Sequence, residues 1–182
     1  DVNLALRPRL LETLAPGTRI VSHDWDMGDW LPGRSLTMPV PDKPVGSRRE
    51  STLHLWVVPA RVDGDWLLQI GEGAAPLRMT LEQRYQRFTI EVPDARPLLR
   101  PVGPAAGASA APHPGAGPAA RGHGSLAGAA IGFELPADGR DLRFNGTAEG
   151  DRMQGLVMDG GARRPWSARR VRDAAARPAR PR

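Results

Sequence analysis

The 182-residue sequence predicts a mainly β fold, an antiparallel meander of barrel or half-barrel form, preceded by a short α/β element. Three observations predict it. From Ser51 onward, apolar residues alternate with polar ones in short runs, the period of half-buried strands. Glycine-containing turns separate these runs at intervals of about 8–12 residues, as in meanders and small barrels. Before Ser51 the pattern differs: leucines four apart, a Pro-Gly break, then the β-branched pair Ile20 and Val21.

The first element is a helix over 2–14, with Leu6, Leu10 and Leu14 in one stripe and Leu11 beside it. Pro8 is tolerated only in a first turn, so regular helix is expected from near Arg7, and Pro16-Gly17 ends it. Thr18 to Asp24 reads as a strand of a parallel sheet. Residues 28–46, with four prolines, read as an extended loop. The predicted division is a helix–strand unit over 1–33, a Pro-rich linker over 34–50, a β domain over 51–172 and a disordered basic tail over 173–182.

Within the β domain, Thr52 to Val58 is a strand with Leu53, Leu55 and Val57 on one face and His54 on the other, as a surface or edge residue. Strands follow at Trp66–Ile70 and Leu77–Leu81, and 82–92 reads as one long strand. Residues 101–124 are low-complexity Ala, Gly and Pro, with too little apolar bulk to offset the entropy of ordering; a flexible surface insertion is expected. Strands resume at 129–135, 142–148, 152–158 and 165–171, with turns at Asp138-Gly139, Glu149–Asp151 and Asp159–Gly161. Trp56, Trp66 and Trp166 fall within strands and read as core.

Composition bounds the function. The absence of cysteine excludes disulfides and thiolate metal sites. No apolar run approaches the ~20 residues of a membrane-spanning helix. The compartment is not specified, with the cytoplasm favoured. The net charge of +5 is a property of the tail: residues 163–182 hold eight Arg and one Asp, so the other 162 residues carry −2, and no specific nucleic-acid surface is expected. Lys43 is the one lysine of the chain, arginine replacing it elsewhere.

The densest polar cluster follows the first strand: His23, Asp24, Trp25, Asp26, Asp29 and Trp30. In open α/β sheets, ligands sit outside the carboxyl ends of strands, where this cluster falls. The residue types allow a cap or other structural role, a pocket wall contacting substrate, or a divalent-ion site. Alternation would place Asp24 and Asp26 on one side and His23 on the other, which argues against a compact metal site. Trp25 and Trp30 either stack on a planar substrate or fill a seam, and large aromatics more often pack. His113 and His123 have nothing to orient them, and no Ser-His-Asp elbow or carboxylate pair is present.

The run from Leu14 through Arg19-Ile20-Val21-Ser22-His23-Asp24-Trp25-Asp26-Met27-Gly28-Asp29-Trp30 resembles the helix-to-strand step late in the Rossmann-like domain of class I S-adenosylmethionine-dependent methyltransferases, most closely one bacterial subgroup. The likeness is close over about 30 residues, with Val2 to Leu11 in it, and looser through the β-rich remainder. It implies a C-terminal methyltransferase portion whose α/β element is a remnant of that Rossmann-like domain, followed by the β domain. The family's glycine-rich donor loop is absent: no Gly-x-Gly-x-x-Gly opens a helix. The chain also opens at Asp1 in mid-pattern. The resemblance therefore implies S-adenosylmethionine for the intact protein and none bound by this chain alone, a missing N-terminal half as partner, and a methyl acceptor these residues do not specify. The cluster His23, Asp24, Trp25, Asp26, Asp29 and Trp30 would then be pocket wall, with Asp24 and Asp26 nearest the substrate. The alternative is a non-enzymatic barrel that binds a small ligand inside or serves as an interaction module.

Overall fold

The computed structural model describes residues 2–44, 49–98, 118–137 and 139–172. A helix, α1 (Val2–Thr13), precedes eleven strands: β1 (Arg19–His23), β2 (Arg34–Pro39), β3 (Glu50–Val57), β4 (Gly64–Ile70), β5 (Leu77–Arg84), β6 (Arg87–Val92), β7 (Ala120–Ala127), β8 (Ala130–Ala137), β9 (Arg140–Glu149), β10 (Arg152–Asp159) and β11 (Ala162–Arg170). Strands β4 to β11 pair in chain order and close as an eight-stranded antiparallel barrel through β11 against β4; β1, β3 and β2 form a separate sheet in that order.

The barrel is the expected meander, and its alternation explains it. In β8 and β9, Ile131, Phe133, Leu135, Leu142 and Phe144 point inward and are buried, while Glu134, Asp141, Arg143 and Asn145 stay exposed. The interior is filled. Phe133 stacks on Phe144 at 4.3 Å, and Trp166 meets both edge-on at 5.4 and 5.7 Å. Closure is latched by Arg170 of β11. Its guanidinium lies 4.4 Å over the Trp66 ring, donates to the carbonyls of Arg61 (2.7 Å) and Asp63, and pairs with Asp151 at 3.2 Å.

Several expectations are corrected. β1 runs antiparallel to its partner β3, so it does not lie within a parallel pair. α1 begins at Val2 and contains Pro8, rather than starting near Arg7. Tertiary bonds offset the lost helical hydrogen bond: Asn3 donates to the carbonyls of Trp25 and Asp26, and Arg7 to that of Met27 at 2.6 Å. Residues 34–39 of the expected linker form β2, which satisfies its backbone against β3 although all six residues are exposed. In β3 the fully buried side chain is Trp56, so Leu53, Leu55 and Val57 occupy the less covered face. His54 is a half-buried residue of the central strand, bonded to Ser35 at 2.7 Å and 5.6 Å from the Trp56 ring, rather than a surface or edge one.

The long strand expected over 82–92 is two strands joined by a two-residue turn at Tyr85 and Gln86, where Tyr85 takes φ +55°. The expected insertion 101–124 ends earlier, because β7 starts at Ala120. Its remainder through 117, with His113, lies outside the described residues, as do Asp138 of the expected turn and the tail 173–182. Trp56, Trp66 and Trp166 are all buried core as expected, Trp66 and Trp166 within the barrel and Trp56 in a second apolar cluster.

Two glycine positions test the packing. An added Cβ at Gly146 of β9 would fall on the Gln154 carbonyl oxygen of β10, whereas at Gly132 the nearest atom would be 3.5 Å away. Gly146→Ala is expected to cost more than about 3 kcal/mol of stability, or to prevent folding, and Gly132→Ala less than about 1. Chemical denaturation of the two variants measures the contrast.

Candidate functional site

The loop from His23 to Trp30 leaves the carboxyl end of β1 and is held by three different sets of partners. Asp24, at φ +62°, caps the ladder. Its backbone N–H donates to the Thr52 carbonyl at 2.7 Å, and its Oδ1 accepts from the Thr52 N–H at 2.7 Å. Lys43 clasps the same carboxylate and donates to the Glu50 carbonyl at 2.7 Å, so the only lysine ties β1 to the segment before β3. The Lys43 ammonium and the Thr52 N–H hold the Asp24 carboxyl below the usual carboxylate range. His23 Nε2 lies 3.5 Å from Asp24, with its ring largely exposed.

Asp26 accepts from the Gly28 N–H at 2.9 Å, a local turn bond. Asp29 receives Arg7 of α1 at 2.5 Å, and Arg84 at 2.8 Å and the Tyr85 hydroxyl at 3.0 Å from the barrel. Arg84 first, then Tyr85 and Arg7, hold its carboxyl far below the usual range. Burial raises the Tyr85 phenol, and its bond to ionised Asp29 adds to that.

Trp30 fills the seam between the small sheet and the barrel, the packing role allowed for it. It is wholly buried, stacked on Tyr85 at 5.9 Å and tilted against Trp56 at 6.2 Å. Its Nε1 donates to the Gln86 side chain at 2.9 Å, and its carbonyl accepts from Trp56 Nε1 at 2.7 Å. Met27 and Val58 complete the cluster, with Leu10, Leu11, Leu14 and Ile20 packed on it. Trp25 is 64% exposed.

The cluster is therefore not one pocket. Asp24 and Asp29 are ionised anchors with their oxygens engaged, poorly suited to general-base work. His23, Asp24, Trp25, Asp26 and Asp29 are all exposed, and Trp30 alone of the six is buried. Among the described residues, no three His, Asp or Glu side chains converge as metal ligands.

Two hollows open on the outside of the barrel. The first, about 810 Å³, crosses β5 to β9 over Ser125 and Gly132, with Arg84, Arg87, Glu82, Glu134 and Arg143 around it. Its charges are largely matched, Arg143 with Glu134 at 3.1 Å and Arg84 with Asp29. His123 lies on its outer floor. The second, about 770 Å³, crosses β9, β10, β11 and β4. Neither was legible in sequence, because each combines short stretches of four or five strands.

The seam yields two expected outcomes. Trp30→Ala removes a wholly buried indole and should cost about 3–5 kcal/mol by denaturant titration. Asp24 and Asp29 have native carboxyls held below their unfolded value of about 3.9, so their contribution is complete above that value and is lost as pH falls through the native one. The thermal midpoint should thus drop on acidification below about pH 4, and Asp29→Asn should flatten that drop. No protein family, curated protein or solved structure matches the chain.

Proposed function

We propose that this chain is the C-terminal portion of an S-adenosylmethionine-dependent methyltransferase, and that its small sheet is the exposed end of a larger parallel sheet. The observation that carries the reading is an unfinished surface. β1 pairs on one side only, with β3, and its other edge has no partner among the described residues. The sheet face opposite the Trp30 cluster is apolar and open, with Val21 63%, Leu36 51% and Met38 38% exposed beside half-buried Leu53, Leu55 and Val57. Edges and apolar faces of this kind normally carry a covering partner. The resemblance over Ser22 to Trp30 supports the same reading.

The described residues do not themselves fit the methyl donor. The turn after β1 leads into β2 rather than a helix, and no glycine-rich cradle follows a strand. Donor binding therefore belongs to the partner half. This chain supplies a strand and a pocket wall: Asp24 fixes the turn, Asp26, His23 and Trp25 face the acceptor, and Asp29 and Trp30 lock the wall to the barrel.

The test joins this chain to the segment encoded upstream. If the preceding ~100 residues hold a glycine-rich strand–turn–helix, the joined protein binds labelled S-adenosylmethionine and the 182-residue chain alone does not. Amide exchange of Val21 and Leu36 then slows in the joined protein. An upstream segment without that motif, or tight donor binding by this chain alone, overturns the proposal.

A further inference from the structure

Outward-facing side chains on the barrel fall into lateral rows that follow the strand register, and most rows carry charge. Arg143 and Arg163 flank Met158 in one, and Glu149, Arg152 and Arg169 lie together in another. Between them run two rows without an ionisable group: Asn145, Leu156 and Pro165, then Thr147, Gln154, Ser167 and Gln69. Gln69, Thr147, Gln154, Leu156, Pro165 and Ser167 of these rows line the second hollow, and the turn Gly71–Glu72–Gly73 forms its end, pinned by the Gly71 N–H to the Pro165 carbonyl at 2.8 Å.

The side chains of Thr147, Gln154, Ser167 and Gln69 make no hydrogen bond to any described residue. Two primary amides and two hydroxyls thus stand in line, each with donor and acceptor capacity unspent. Beside them Leu156, 50% exposed, and exposed Pro165 make a short apolar strip.

We propose that this hollow binds a neutral oligosaccharide. Amides and hydroxyls in a row match the paired donors and acceptors of vicinal sugar hydroxyls, and the apolar strip matches the C–H face of a pyranose ring. An anionic ligand would lose its hydration and find no counter-charge, the one ionisable side chain of the lining being Glu72. A peptide bound by strand addition would need an open strand edge, and the closed barrel has none here. The volume, about 770 Å³, is that of a small-ligand site.

The experiment titrates the whole chain with maltotriose, cellotriose and chitotriose at millimolar concentration and follows side-chain amide resonances by NMR. At least one sugar is expected to shift the Gln69 and Gln154 amides in a saturable manner that added salt leaves unchanged. The double substitution Gln69→Ala with Gln154→Ala should weaken binding at least about tenfold, with the far-ultraviolet circular dichroism unaltered. Arg87→Ala, in the other hollow, should leave binding intact. The proposal is overturned if none of the three sugars moves these amides, if the double variant binds as tightly as the parent, or if salt abolishes binding.

Discussion

The burial of one indole holds the two parts of this molecule in register. Trp30 lies between Trp56 of the small sheet and Tyr85 of the barrel, and its N–H and carbonyl are both satisfied there. The contact is apolar in bulk and polar at its tips, so it is both adhesive and directional. The Gln86 amide extends that direction. Its nitrogen donates to the Val57 carbonyl at 3.1 Å and its oxygen accepts from Trp30, so one barrel turn grips a strand and a loop at once. Without the indole, α1 and the three short strands would have little apolar surface left to rest on, since no residue of α1 is fully buried.

Around this contact, arginines act as multidentate clips rather than as a charged coat. Arg7 joins helix to loop, Arg84 joins barrel to loop, and Arg170 joins the last barrel strand to the segment before the first. A planar guanidinium with several fixed donors suits carbonyl and carboxylate pairs on different elements. These arginines are thus matched within the fold by carboxylates and carbonyls of other elements.

The barrel was legible because its strands alternate and its turns are rich in glycine. Leu142, Phe144 and Ala148 against Arg143, Asn145 and Thr147 state both the strand and its facing. The Tyr85–Gln86 turn was not legible, because neither residue is a usual turn former. The start of β7 was hidden for the opposite reason. Gly122 and Gly124 point inward because Leu135 and Phe88 fill the space their side chains would take, so a true strand carries no apolar signal. β2 was hidden by its exposure: with no buried face it shows no hydrophobic contrast. At the candidate site, the acidic and aromatic loop stood out in sequence. Its partners Lys43, Arg84 and Tyr85 lie 19 to 56 positions away, and no spacing rule connects them. Trp30 as a seam residue was among the readings considered; the face on which β3 buries Trp56 was not.

Closing the barrel by its first and last strands has a kinetic side. Neighbouring strands from β4 to β11 form hairpins or near neighbours, and such contacts assemble from local encounters. The closing seam joins Arg170 to Asp63, 107 positions apart. Topologies whose last contact spans most of the chain fold slowly for their size. The β4–β11 joint thus carries the largest loop-closure cost of the barrel pairings, and a barrel with that joint open would present two bare strand margins.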